Sequence, residues 1–150
     1  MRKIFLFLTL TLFINQCGYE KLYSSKNLNF SIKNIKKENN TINNELSNAL
    51  LGLLSKKTSE NTFDLEIQTI RSTEIKSKDS KGDPSVYVLK LETRVIVKNT
   101  ENKKYSNVFY EEMNYNNNDD KFELSQYINE IEKILIKETV KKIINYLTNI

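Results

Sequence analysis

Four stretches of the chain alternate between apolar and polar residues with the two-residue period of a half-buried strand. Leu28, Phe30 and Ile32 face one way with Asn29 and Ser31 between them. Phe63, Leu65 and Ile67 alternate with Asp64, Glu66 and Gln68, and Ile70 falls out of phase, which predicts a bulge or the end of that strand. The third stretch is the clearest. Tyr87, Leu89, Leu91, Val95 and Val97 point to one face, and Lys90, Glu92, Arg94 and Lys98 to the other. In the fourth, Tyr105, Phe109, Met113 and Tyr115 share a face. The intervening segments are polar. Residues 76–85, KSKDSKGDPS, hold turn formers and no large apolar side chain, which predicts an exposed loop. Residues 99–104 predict a hairpin connection, and residues 116–121 a second polar loop.

Two stretches change to helical spacing. Over residues 41–57 the positions Ile42, Leu46, Ala49, Leu50, Leu53 and Leu54 form one apolar stripe. Asn39, Asn40 and Thr41 supply N-cap chemistry before it, and Lys56 and Lys57 suit its negative C-terminal end. Over residues 122–148 the stripe comprises Tyr127, Ile131, Ile134, Leu135, Ile143, Tyr146 and Leu147, with Asp119 or Asp120 as the cap. Glu130 and Glu132 lie early in this helix and Lys141 and Lys142 late, again matching the dipole. Its many isoleucines have modest helix propensity, so packing must hold it. The order β–α–β–β–β–α makes the first two strands parallel, joined by a right-handed crossover, and the later pairs antiparallel. The expected fold is an α+β two-layer sandwich, with both helices on one face of a four-stranded mixed sheet.

The N-terminus carries a different signal. Arg2 and Lys3 precede an apolar run from Ile4 to Phe13, and Cys17 follows. The run is too short to span a bilayer and suits a secretory signal. A single cysteine directly after it reads as the acylated first residue of a bacterial lipoprotein, although Asn15 and Gln16 stand where small residues usually precede such a cysteine. The chain then divides into a signal peptide (1–16), a lipid-anchored tether (17–27) and the α+β domain (28–150). Tyr19 and Tyr23 in the tether suit a membrane interface. Two or three acyl chains on Cys17 would hold the domain firmly at a membrane, at about 0.8 kcal/mol per buried methylene.

Composition then removes function classes. Loss of Arg2 and Lys3 lowers the formal net charge of +4 to about +2, which weakens a nucleic-acid reading, as does export. The chain has no histidine and one cysteine, so it has no internal disulfide, no usual transition-metal site and no histidine- or cysteine-dependent catalytic set. Glu111 and Glu112 are neighbours in a strand and point to opposite faces. Asp119 and Asp120 are explained by capping, and Lys81-Gly82-Asp83-Pro84 by a turn. The expectation is a protein that is not an enzyme and needs no cofactor.

Beyond these readings the chain resembles the LPS-assembly lipoprotein family, LptE, in its compact form. Cys17-Gly18-Tyr19 is similar to the family's Cys-Gly-aromatic start, and TINNELSNALLGLLSKK to its first helix. SVYVLKLETRVIVK resembles its Tyr-containing strand, and VFYEEMNYNNNDDKFELSQYINEIEKILIKETVKKIINYL its last strand, turn and long C-terminal helix. The resemblance implies an outer-membrane, periplasm-facing lipoprotein that plugs the LptD β-barrel, assists its assembly and supports lipopolysaccharide transport. Gly18 after the cysteine, rather than Asp, is similar to lipoproteins sorted to the outer membrane. A polar barrel lumen suits a sheet whose helix-free face carries Lys90, Glu92 and Arg94, with Val86, Val88 and Ile96 leaving apolar area there.

In the family, basic residues near loops at one end of the sheet are associated with the anionic lipid. The candidate lipopolysaccharide contacts here are Lys76, Lys78 and Lys81 in the loop after the second strand, and Lys121 before the last helix. Their ammonium groups would act as point charges for phosphate. The other readings are a small envelope lipoprotein acting as scaffold or pilotin for another outer-membrane complex, and a ligand-binding protein, for which no convergent polar set is evident.

Overall fold

The computed structural model describes residues 28–54, 59 and 61–150. The signal run, Cys17, the tether with Tyr19 and Tyr23, Lys56 and Lys57, and the side chains of Leu53 and Leu54 lie outside the described residues. Six elements follow in the order β1 (Phe30–Lys37), α1 (Thr41–Leu54), β2 (Asn61–Lys78), β3 (Pro84–Lys98), β4 (Lys104–Asn116) and α2 (Lys121–Thr148). The four strands form one sheet in the order β1-β2-β3-β4. β1 runs parallel to β2, and the other two pairs are antiparallel. The fold is the expected α+β arrangement of two helices on a mixed sheet.

Odd-numbered residues of β2 to β4 face the helices. Leu65, Ile67, Leu89, Leu91, Val95, Val97 and Phe109 pack there with Leu46 and Leu50 of α1 and Ile131, Leu135, Ile143 and Ile144 of α2. In β1 the inward positions switch from Phe30 and Ile32 to Ile35, because Lys33 sits in a bulge between Ile32 and Asn34. One inserted residue keeps the core face in phase across the pair. At the centre, Thr69 and Thr93 face each other across β2 and β3, and their buried hydroxyls are 3.1 Å apart.

Both hairpin turns are built alike. The Asp79 carboxylate accepts from the backbone N–H groups of Lys81 (2.8 Å) and Asp83 (2.9 Å), and the Asn99 side chain from those of Glu101 (3.1 Å) and Lys103 (2.9 Å). Gly82 (φ 91°) and Asn102 (φ 62°) take the left-handed position each turn requires. Asn40 caps α1, accepting from the Asn43 N–H at 2.8 Å. Asp120, not Asp119, caps α2, accepting from Phe122 and Glu123 at 2.9 and 3.1 Å.

Three expectations change. Ile70 marks neither a bulge nor an end, because β2 pairs with β3 in unbroken register to Ile75 and continues to Lys78. Ile70 belongs to the outward phase and is 57% exposed on the helix-free face. The expected loop over residues 76–85 therefore shrinks to residues 79–83. Lys76 and Lys78 are strand residues, and Pro84 and Ser85 begin β3. In α2, Tyr127 and Ile134 are exposed, whereas Ile136, Thr139, Val140 and Ile144 are buried. At about 100° per residue, Ile131, Leu135, Thr139, Ile143, Leu147, Val140 and Ile144 cover one broad arc, and Tyr127 and Ile134 fall outside it. The arc is broad because α2 packs on both the sheet and α1.

Candidate functional site

The four candidate lysines gather at one end of the sheet. Lys76 and Lys78 close β2, Lys81 sits in the β2–β3 turn, and Lys121 opens α2. The 117–120 connection is tied to the start of β3: the Asn117 backbone N–H donates to the Ser85 carbonyl (2.9 Å), and its side-chain amide donates to the Pro84 carbonyl (3.1 Å). Lys121 turns its ammonium to the Asn118 carbonyl at 3.1 Å. Among the described residues Lys76, Lys78 and Lys81 are exposed and make no ion pair. Asp79 and Asp83 lie between and beside them and spend their hydrogen-bonding on the turn or its closure. Asp119 and Asp120 accompany Lys121, so four lysines stand against four aspartates and the tip as a whole is close to neutral.

At this end the helices leave β2 uncovered. Residues 70–78 of β2 are exposed on both faces, so this stretch is held by pairing with β3 rather than by a core. On the helix side there, Tyr87 and Tyr115 stack with ring centres 5.4 Å apart. The other end of the sheet receives the chain from Leu28, beside the start of β2 and the β3–β4 turn. An 18-residue strand separates the two ends, about 60 Å at the usual rise per residue.

The helix-free face is a second surface. Ile70 and Tyr110 are its exposed large apolar residues, at 57% and 65%. Val88 is buried and Val86 and Ile96 are half-buried, so the apolar exposure expected at those three is concentrated at Ile70 and Tyr110 instead. A shallow depression of about 420 Å³ is lined by Ile70, Ser72, Glu74, Lys90, Glu92, Tyr110 and Glu112. Lys90 donates to Glu74 at 2.5 Å across it. That hydrogen bond holds the Lys90 ammonium above the ordinary lysine pKa against the opposing pull of burial, with Glu112 adding to it. A second cleft of about 340 Å³ lies where β1 leaves the sheet, between Lys36, Lys37 and Glu38 on one side and Glu66, Gln68 and Arg94 on the other.

Glu111 and Glu112 do point to opposite faces: Glu112 is exposed, and Glu111 faces α2. The Glu111 carboxylate, only 12% exposed, lies 2.5 Å from the Lys142 ammonium. The two residues are far apart in sequence, and only the packing of α2 on β4 reveals the pair. Among the described residues no group of three or more acidic, histidine or cysteine side chains could hold a metal ion. None of the described helices is long and apolar enough to cross a membrane.

Neither a family model nor a curated protein matches the sequence. Solved structures do match the fold. A rare lipoprotein B from Shewanella oneidensis aligns with a TM-score of 0.61 at 11% identity, over 78% of this chain and 95% of that one. A minor lipoprotein from Acinetobacter baumannii aligns with a TM-score of 0.62 at 11% identity, over 81% and 93%. A lipoprotein B from Nitrosomonas europaea aligns with a TM-score of 0.57 at 18% identity, over 81% and 84%. At such identities the likeness is one of fold.

Proposed function

We propose that this chain is an outer-membrane lipoprotein of the LPS-assembly (LptE) kind, anchored through Cys17 and facing the periplasm. In this reading it plugs an LptD-like β-barrel, assists its assembly and supports lipopolysaccharide passage to the outer leaflet. The observation that carries the reading is a conjunction. A cysteine directly follows a signal-like run, and the domain behind it shares its fold with nearly the full length of solved lipoproteins.

Geometry supports it. The anchor would enter at the Leu28 end, and the lysine tip stands about 60 Å away along β2, twice the roughly 30 Å thickness of a hydrocarbon core. A plug held at the periplasmic leaflet could therefore present Lys76, Lys78, Lys81 and Lys121 well inside a barrel lumen. There they would meet lipid phosphates as point charges. The helix-free face, with its paired charges and scattered apolar residues, suits the polar wall of such a lumen.

Metabolic labelling with palmitate tests the anchor. The full chain should incorporate label and fractionate with outer membranes, and Cys17→Ala should lose both. Unlabelled, freely soluble full-length protein would end this reading.

A further inference from the structure

We infer that the open edge of β2 over residues 68–75 is a docking site for an extended segment of the partner polypeptide, taken up as an added strand. β1 ends where Lys37 meets Ile67, while β2 runs on and stays paired with β3 on its other side. Beyond that point, among the described residues, the edge away from β3 has no neighbouring strand. Eight extended residues present about four N–H and four C=O groups along such an edge. Only another extended backbone matches that row of donors and acceptors.

On the opposite edge of the sheet the protein's own side chains take up two central backbone groups. On β4 the Val108 N–H is taken by the Asn107 side chain at 2.9 Å, and the Tyr110 carbonyl by the Lys142 ammonium at 3.1 Å. Among the described residues no side chain caps the backbone of residues 68–75.

The charges on the open strand are already matched within the domain. Arg71 pairs with Glu132 at 2.7 Å, Glu74 with Lys90 at 2.5 Å, and Gln68 donates to Glu38 at 2.8 Å. An incoming strand therefore meets a neutral edge, which fits an uncharged extended segment. The edge is also bounded. It starts at the cleft by Glu38 and Gln68, and ends at the register shift between Ile75 and Ser77. Ile70, exposed on the helix-free face, offers an apolar neighbour to one side chain of the added strand.

The chain's own tether is too short to line this edge. From Leu28 it would have to travel from the level of Asn61 to that of Ile75, about 46 Å. The eleven residues 17–27 reach about 40 Å at most. With the chain cut before Cys17 the occupant is therefore another chain, and both that cut and the identity of the occupant as a barrel rest on the function proposed above.

The test places a photo-crosslinking side chain at Ser72 or Thr73 in the full-length protein in native membranes, with Val108, whose N–H the Asn107 side chain already takes, as the control on β4. The expected result is crosslinking from both β2 positions, to partner residues within about two of each other in one segment, and none from Val108. Amide exchange of the unmodified protein gives a second measurement, with residues 68–75 slowed about tenfold or more in the isolated complex. An intact complex with no crosslink from β2 and unchanged exchange overturns the inference. So do crosslinks to a second copy of this chain or to scattered partner positions. An in-register crosslink to a partner that is not a barrel leaves the inference standing and removes the proposed function. A barrel that co-purifies without touching this edge does the reverse.

Discussion

Lys142 on α2 donates its ammonium to the main-chain carbonyl of Tyr110 on β4, 3.1 Å away. The same ammonium lies 2.5 Å from the Glu111 carboxylate. One side chain thus fastens the long helix to the sheet edge, neutralises an acid on the core-facing side of β4 and occupies a carbonyl that another strand could otherwise use.

Lys142→Met should therefore cost more than an ordinary surface change. It strands a mostly buried carboxylate, for which about 1–3 kcal/mol is expected, read as a lower urea midpoint with an unchanged slope. Adding Glu111→Gln to the same chain should restore part of the loss. Equal stability of Lys142→Met and the parent would show that the pair contributes nothing.

The buried hydroxyls of Thr69 and Thr93 give a cleaner cycle. Either Thr→Val change alone leaves one hydroxyl without its partner, at a cost of about 1–3 kcal/mol, while the double change should come close to the parent. Simple additivity of the two single changes would contradict this arrangement.

At the start of α2, Asp120→Ala removes the acceptor of two backbone N–H groups and should destabilise by about 1 kcal/mol. Asp119→Ala should change the urea midpoint negligibly. The reverse order would move the cap by one residue.

Alkaline titration reads the packing of Tyr146. Burial, with a smaller contribution from Tyr105, holds its phenol above the ordinary value of 10.0. The unfolded chain then loses this proton first as pH rises. The stabilisation it carries is complete below pH 10 and is lost as pH climbs through the raised folded value. Tyr146→Phe should flatten part of the stability decline above pH 10, with phenolate absorbance as the direct readout. An identical decline in both proteins would place this phenol in water.

The strands were legible where one face is buried. Leu89, Leu91, Val95 and Val97 alternate because helices cover that side and solvent the other. The far half of β2 was not legible for the same reason. Beyond Ile70 both of its faces are exposed, so nothing requires an apolar period, and Lys76, Ser77 and Lys78 read as loop residues. Backbone pairing with β3 holds them, and pairing leaves no mark in composition. Ile136, Val140 and Ile144 of α2 escaped because a helix packed on two neighbours buries more than one narrow stripe. The lysine cluster could be named from sequence only as loop residues. Its convergence at one tip follows from the Asn117 contacts to Pro84 and Ser85. The open edge of β2 had no local signal, since it exists only because β1 is shorter than its neighbour.

The most direct test of the central claim is a mild-detergent purification of the tagged full-length chain from native membranes, with every co-purifying protein identified and its stoichiometry measured. The expected result is one large outer-membrane β-barrel in near-equal amount, together with acylated Cys17. Acylated protein recovered with no barrel, or with a different envelope complex, would contradict the plug function.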